Sequence, residues 1–388
     1  MRNPRILFIY KAIGNLGDRI RIEQILKFLK RSGFELYETF LPSITFRYIK
    51  REGLSNLSNI LPNILPLHKQ RLYSSKRPII HYLDLNLARN LLSKTIRNLN
   101  FDIVLAETSL VGWLTYSILK DSSTPLIVDV HGLAGLEAKG SRDKYWFIKE
   151  ALEAEVFKNC NHLLVVSNKM KEYVVRRFDV RDGKVSVIYN GAEPQKHRAK
   201  FNYPLKVIYA GVFAYWEKVD DYLEIAKKAD SNSFKFYLAG TGPMKKHILA
   251  RIKRENIPIK YLGYIPRSKM LGVMSKMQVG IAPSTRDLAR LVAFPIKVLD
   301  YMSCGLPVVA PLIGDWGKMI KTENCGITIE DDSVEKYITA LETLKRKDVW
   351  LDKSNNGIRA IEMKYNWSKV LSPLKSIITH LASTEGNR

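Results

Sequence analysis

The sequence predicts an α/β protein built from two successive doubly wound, Rossmann-like domains. Short runs rich in Ile, Val and Leu alternate with amphipathic stretches, as expected for parallel strands joined by helices. The alternation that begins near residue 5 starts afresh near residue 205. The 388 residues exceed the usual size of one domain, and 46% apolar content is ample for two cores.

The first strand is predicted at 5–10, and its apolar run stops at Lys11, so it reads as a strand rather than a secretory leader. Lys11-Ala12-Ile13-Gly14-Asn15-Leu16-Gly17-Asp18-Arg19 then forms a glycine-containing turn into a helix whose Ile22, Leu26 and Leu29 share one face. Such a turn serves either tight packing or contact with a phosphate or substrate. Residues 40–98 are less regular. They interleave cations with aromatic and aliphatic residues, as in Phe46-Arg47-Tyr48-Ile49-Lys50-Arg51 and around Lys69 and Arg71. A surface resting on anionic lipid and a solvated helical face both fit that pattern.

From Asp102 the βα rhythm resumes with strand 103–106, a helix through Trp113, and strand 126–130 running into His131-Gly132. A histidine at the carboxyl end of a parallel strand lies where doubly wound sheets place ligands, although a structural histidine fits there too. A helix around Tyr145-Trp146-Phe147, a strand at 163–166 and another at 185–188 lead to the turn Asn190-Gly191.

The second half predicts a strand at 205–210, Gly211, a helix at 219–229 and a strand at 234–239. Gly240-Thr241-Gly242-Pro243 lacks the third glycine of a dinucleotide fingerprint and reads as a tight turn. The most informative stretch follows: Phe294-Pro295-Ile296-Lys297-Val298-Leu299-Asp300-Tyr301-Met302-Ser303-Cys304-Gly305-Leu306-Pro307-Val308-Val309. Pro295 suits the first turn of a helix and Gly305 the left-handed residue past its end. Lys297 and Asp300 then share a face near the helix start. Free N–H groups and the helix dipole favour a diphosphate there, Lys297 adds a point charge, and Asp300 can accept the hydroxyls of a ribose. A solvated helical face carries the same spacing. The tail from Tyr365 is amphipathic through Trp367, Val370, Leu371, Leu374, Ile377 and Ile378, and 383–388 read as disordered.

Net charge is +24, and residues 1–100 hold 18 Lys/Arg against 6 Asp/Glu, half of the surplus. That asymmetry suggests an anionic partner, nucleic acid or a membrane surface. The three cysteines, Cys160, Cys304 and Cys325, show no metal spacing and point to a reduced, cytoplasmic setting. The longest charge-free apolar run, 108–119, is shorter than the roughly 20 residues a membrane helix needs. No carboxylate or histidine motif for a metal stands out, so none is expected.

The run from Phe294 to Val309 resembles the donor-binding helix of retaining glycosyltransferases of family four, of the GT-B fold, in the subgroup reading S-P-(I/L)-K-x-x-E-Y-M-x-x-G-x-P-V-V. Here Phe294 stands for the serine and Asp300 for the glutamate. The resemblance implies a donor site using Phe294, Pro295, Ile296, Lys297 and Asp300. It also implies that Gly14 and Gly17 face a cleft between the domains, that His131 contacts the transferred sugar, and that Tyr264 lies near the base, although a core tyrosine also fits. It further implies domains at 1–191 and 204–364, a linker at 192–203, and a helix at 365–388 returning to the first domain. Departures are also plain. Val292 replaces a glutamate expected near the donor sugar. Val212 and Glu217 occupy the places, after Gly211, of an Arg and a Lys that neutralise the diphosphate, with Lys218 one step later. Lys297 is the expected replacement, with Lys218, Arg286 and Arg290 as further candidates.

The implied function is transfer of a sugar, with retention, from a nucleoside diphosphate sugar to a glycan or lipid-linked acceptor at the inner membrane face. The donor is a substrate, and no cofactor is implied. A GT-B nucleotide-sugar epimerase needs cleft carboxylates that the sequence does not display. A nucleic-acid-binding protein would rest on charge alone and leave the donor helix without a role.

Overall fold

The structure is a computed structural model of the chain and describes residues 3–11, 16–41, 89–90 and 92–385. Gly14 and the basic stretch from Phe46 to Arg77 lie outside the described residues. The chain divides into two compact units, one made of Met1–Ile188 with Leu371–Arg388, the other of Tyr189–Val370.

The first unit is a parallel sheet of β1 (Arg5–Lys11), β2 (Glu35–Leu41), β3 (Ile103–Glu107), β4 (Leu126–Val130), β5 (His162–Val165) and β6 (Val185–Val187). The spatial order is β2-β1-β3-β4-β5-β6. Helices α1 (Leu16–Arg31), α2 (Ser109–Leu119), α3 (Ala134–Gly140), α4 (Trp146–Asn159) and α5 (Asn168–Phe178) alternate with these strands. Every residue of β3 and β4 is buried, Glu107 and Asp129 included, which is why both read as largely apolar runs rather than as alternating ones. Helix α1 buries Ile22 and Leu29 as its spacing predicts, with Ile25 buried between them and the expected Leu26 only half-buried.

The second unit repeats the plan with β7 (Leu205–Val212), β8 (Phe234–Thr241), β9 (Ile259–Tyr261), β10 (Val279–Ile281), β11 (Val308–Pro311) and β12 (Gly326–Ile329). Its order is β12-β11-β10-β7-β8-β9, again parallel. Its helices are α6 (Val219–Lys228), α7 (Lys245–Arg254), α8 (Arg267–Met274), α9 (Leu288–Val292), α10 (Ile296–Ser303), α11 (Gly314–Thr322), α12 (Val334–Thr343), α13 (Lys347–Ala360) and α14 (Trp367–Val370). Strand order reverses between β1 and β3 in one unit and between β7 and β10 in the other. The crevice outside the carboxyl ends at such a point is where open α/β sheets take ligands.

Three details differ from the sequence reading. Gly240 and Thr241 end β8 rather than forming a separate turn. A side chain on Gly240, at φ +137°, would begin 1.9 Å from the Gly211 carbonyl, so only glycine lets β7 and β8 approach there. Residues 192–203 sit within the second unit: the Ala199 N–H donates to the Cys304 carbonyl at 2.8 Å, and Ala192 bridges Asn366. The tail divides after Val370. Trp367 stays with the second unit, and α15 (Ser372–Glu385) belongs to the first, burying Leu374 and Ile378.

Candidate functional site

In the second unit the candidate site is organised by α10. Pro295 immediately precedes it, and the Val298 N–H donates back to the Pro295 carbonyl at 3.2 Å. At the far end Gly305 takes φ +77°, and the Leu306 N–H reaches the Tyr301 carbonyl at 2.9 Å, closing the helix as its glycine predicts. Tyr301 presses the helix onto β10, where a Cβ on Gly280 would stand 2.4 Å from its ring. The Tyr301 hydroxyl accepts the Ala210 N–H at 2.8 Å and lies 3.4 Å from the Ile281 carbonyl. It therefore fills the gap where β7 and β10 part, and it aims the first turn of α10 at their carboxyl ends.

That placement brings Lys297 to Gly211, whose missing Cβ would sit 3.6 Å from Lys297 Cδ. The Lys297 ammonium lies 4.9 Å from the Tyr209 ring centre and donates to the Glu217 carboxylate. Glu217 ends the 3-10 turn Tyr215–Glu217 and is 8% exposed. Burial pushes the Lys297 ammonium down, to about 7. Arg290 stacks on Trp216 at 5.4 Å and, with Lys297, Glu217, Ser284 and Pro295, lines one small cavity. Glu217, where the resemblance expects a lysine, is thus the anion beside Lys297.

One turn along, Asp300 is 5% exposed and receives both forks of Arg267, Nη1 to Oδ2 at 2.5 Å and Nη2 to Oδ1 at 2.8 Å. Burial raises the Asp300 carboxyl and Arg267 opposes that rise. A carboxylate has about four lone-pair positions, so two bonds from Arg267 leave capacity for hydroxyl donors. Ile296 is half-buried at the helix start. Phe294 is buried beside Tyr189 and Tyr365, at 4.8 and 6.2 Å between ring centres, and its carbonyl accepts Asn190 Nδ2 at 2.6 Å. Its side chain therefore braces the segment. Tyr264 is 59% exposed, which removes the core-tyrosine alternative. Lys218 and Arg286 do not join Lys297. Both bond Asp332, at 2.9 Å each, and Lys218 also meets Asp221 at 2.9 Å.

The first unit places a second polar cluster at its own carboxyl ends. His131 Nε2 lies 2.7 Å from Glu107 Oε1, and Nδ1 lies 3.5 Å from Asp18 Oδ1. Burial works against the imidazolium, but Asp18, Glu107 and Asp129 outweigh it and raise the group to about 9. Both ring nitrogens thus face carboxylates, a shell that the sequence reading of His131 as a direct sugar contact did not contain. Beneath them Arg21 grips Asp129 with two bonds, at 2.8 and 2.7 Å, and both side chains are fully buried. Glu107 is followed by Thr108 at φ +75°, a backbone region that costs a non-glycine residue on the order of 1–3 kcal/mol. Among the described residues nothing lies within 4 Å of where a side chain on Gly17 would begin. Among the described residues no group of His, Cys, Asp and Glu has the arrangement of a metal site, and no helix is long and apolar enough to cross a membrane.

Comparisons with known proteins agree with this architecture. Residues 23–196 match the family described as Glycosyltransferase Family 4, and residues 204–347 match Glycosyl transferases group 1. An uncharacterized glycosyltransferase of Methanocaldococcus jannaschii is 24% identical over 274 residues, 69% of this chain and 72% of that one. The UDP-Gal:alpha-D-GlcNAc-diphosphoundecaprenol alpha-1,3-galactosyltransferase of Escherichia coli is 23% identical over 305 residues, 74% of this chain and 77% of that one. Among solved structures, sucrose-phosphate synthase from Thermosynechococcus elongatus superposes with a TM-score of 0.77 at 14% identity, covering 98% of this chain and all of that one. Two family matches that together span most of the sequence, on two sheets of this topology, make the chain a member of the GT-B glycosyltransferases.

Proposed function

We propose that this protein transfers a sugar from a nucleoside diphosphate sugar to a glycan or lipid-linked acceptor, with retention of configuration and without a metal ion. The observation that carries the reading is Lys297, desolvated at the start of α10 and facing one anion, Glu217, at the switch point of the second sheet. A diphosphate there meets the leading N–H groups of the helix, the Lys297 ammonium and the Arg290 guanidinium. As the bond to the sugar breaks, charge builds on the diphosphate. A cation already stripped of water stabilises that charge more than it stabilises the bound donor.

In this reading Asp300, oriented by Arg267, accepts the ribose hydroxyls, and the backbone beside Gly263 and Tyr264 lies along the base. His131, with Glu107 and Asp18, presents polar groups to sugar hydroxyls in the first unit. No protein nucleophile is invoked. The acceptor hydroxyl attacks the face the diphosphate leaves, and the enzyme contributes position and electrostatics.

A panel of UDP-, GDP- and ADP-sugars, offered with lipids from the source cells, tests the activity. The UDP-sugars come first because the E. coli relative is named for UDP-Gal. Transfer that persists in EDTA, with product and donor sharing one anomeric configuration by NMR, supports the reading. An inverted product, or a strict need for added metal, overturns those parts of it.

The site of action we place at an anionic membrane surface. Support comes from the basic surplus of residues 1–100 and from the lipid-diphosphate acceptor in that relative's name. Each Lys or Arg near such a surface contributes about 1 kcal/mol. Sedimentation with liposomes should rise with anionic lipid, fall with salt, and drop when Arg47, Lys50, Arg51, Lys69 and Arg71 become Ser. Equal recovery of wild type and the five-site variant would discard the membrane placement and leave the transferase reading intact.

A further inference from the structure

The second unit has a groove at the opposite end of the same two strands. It holds about 470 Å³ and is lined by Lys196, His197, Arg198, Lys200, Lys206 and Lys276, together with Asn202, Ser275 and Gln278. Lys206 is the second residue of β7, and Ser275 to Gln278 lead into β10. The groove therefore opens at the amino ends of β7 and β10, whereas Lys297 and Glu217 stand at the carboxyl ends. It is a separate place on the sheet, with no part in the donor site.

Its charge is one-sided. Five of its lining residues are Lys or Arg and none is Asp or Glu. Arg198 is answered by Glu362 and by the Gln195 carbonyl. Lys196, Lys200, Lys206 and Lys276 form no ion pair with any described residue. Lys218, Lys227, Lys228, Lys336 and Lys364, elsewhere in this unit, each pair with an acid. Cations gathered in a concavity focus a positive potential and repel one another until an anion enters.

The groove is also held in shape. Gln278 is 3% exposed, and its side chain accepts the Lys206 N–H at 3.0 Å and donates to the Lys200 carbonyl at 2.9 Å. Its backbone N–H reaches the Lys206 carbonyl at 2.8 Å, and its carbonyl takes the Trp350 indole N–H at 2.7 Å. One buried amide thus ties together the two segments that bear Lys200 and Lys206, so binding an anion orders side chains rather than backbone. None of the residues lining the groove is a Phe, Tyr, Trp, Leu, Ile, Val or Met that would dip into acyl chains.

We infer that this groove is a second anion site, taking a phosphate-rich group such as an oligophosphate or the phosphorylated head of a lipid. The inference goes beyond the donor reading and does not depend on it. Calorimetry with sodium tripolyphosphate tests it in three proteins: Lys297→Ala, Lys297→Ala carrying Lys200→Ser, Lys206→Ser and Lys276→Ser, and Lys297→Ala carrying the same three positions as Arg. Disabling Lys297 keeps the probe's binding at the donor helix from masking the groove. The Ser variant should lose about tenfold or more in affinity and the Arg variant should keep it, because the bonds are charge-assisted. A parallel arm uses vesicles of phosphatidylglycerol and phosphatidylcholine, with residues 46–77 intact in every protein. Tripolyphosphate binding without vesicle binding identifies a free phosphate ligand. Vesicle binding that tripolyphosphate displaces, and that the Ser variant lacks, identifies a lipid head. If the Ser variant matches its parent within twofold for both probes, the groove is an ordinary solvated surface and the proposal is wrong.

Discussion

Both sheets are parallel, six-stranded and reverse strand order at one point, yet they end in opposite electrostatics. At the switch point of the second, a half-buried cation lies against an aromatic ring with, among the described residues, one carboxylate paired to it, and desolvation draws Lys297 down to about 7. At the carboxyl ends of the first, a histidine is set among Asp18, Glu107 and Asp129, and its charge is reinforced, up to about 9. Burial penalises both cations. At His131 three neighbouring carboxylates outweigh that penalty, whereas at Lys297 the penalty dominates. A cation with one carboxylate partner can exchange it for a phosphate, while one enclosed by several acids keeps its partners.

That contrast breaks most visibly at Lys297. Lys297→Ala should lower kcat by about two to three orders of magnitude with little change in KM, equivalent to about 3–4 kcal/mol of transition-state stabilisation. Steady-state kinetics on the preferred donor decides it. If turnover stays within a few-fold, Arg290 is the cation that matters.

The histidine side makes the opposite prediction with pH. The folded group titrates near 9 against an ordinary 6.5. Its contribution to stability is therefore complete below 6.5, falls as pH rises through 9, and amounts to on the order of 3 kcal/mol. An NMR titration of the His131 ring should show its midpoint near 9, and Asp18→Asn should lower it because Asp18 is the strongest of the raising influences. A wild-type midpoint near 6.5 would show that the carboxylates do not enclose the ring.

Asp300 tests whether the second site recognises a nucleotide as well as neutralising it. Asp300→Asn keeps the shape, removes the charge and should weaken nucleoside diphosphate binding by about 2 kcal/mol. Arg267→Ala leaves Asp300 buried without its partner, so affinity should fall there too, although Arg267 touches no reacting atom. Calorimetry giving unchanged affinity for both variants would remove the ribose role.

What the sequence displays and what it conceals follow a physical line. Local chemistry is visible: Pro295 before a helix, Gly305 after it, and largely apolar runs for strands covered on both faces. Partners chosen by tertiary packing are not. Arg267 meets Asp300 across 33 residues and Glu107 meets His131 across 24, and no spacing rule connects either pair. Tyr301 stands in the sequence only as part of the Phe294–Val309 run. Its hydroxyl became a strut between β7 and β10 only once Gly280 let the ring lie against the sheet. The domain plan was readable from the restart of the βα rhythm. The assignment of 192–203 to the second unit rests on backbone bonds such as Ala199 to Cys304, which leave no compositional trace.

The smallest expected effect comes from Lys218, one residue past Glu217 and attractive in sequence for that reason. A 3-10 turn has about three residues per turn, so consecutive side chains leave it about 120° apart, and a one-residue step changes the face served. Glu217 faces Lys297, whereas Lys218 turns to Asp221 and Asp332 and takes φ +43° as it starts α6. Lys218→Gly removes partly exposed ion pairs, each contributing about 0.2–1 kcal/mol. It also relieves a left-handed backbone that costs a non-glycine residue roughly 1–2 kcal/mol. The two terms nearly cancel, so stability by urea titration should shift by less than about 1 kcal/mol. Turnover should stay within about twofold, because no charge near the departing diphosphate has changed. A loss comparable to that of Lys297→Ala would mean that Lys218 leaves Asp332 when the donor binds, and the electrostatics of the second site would then have to be assigned to two cations.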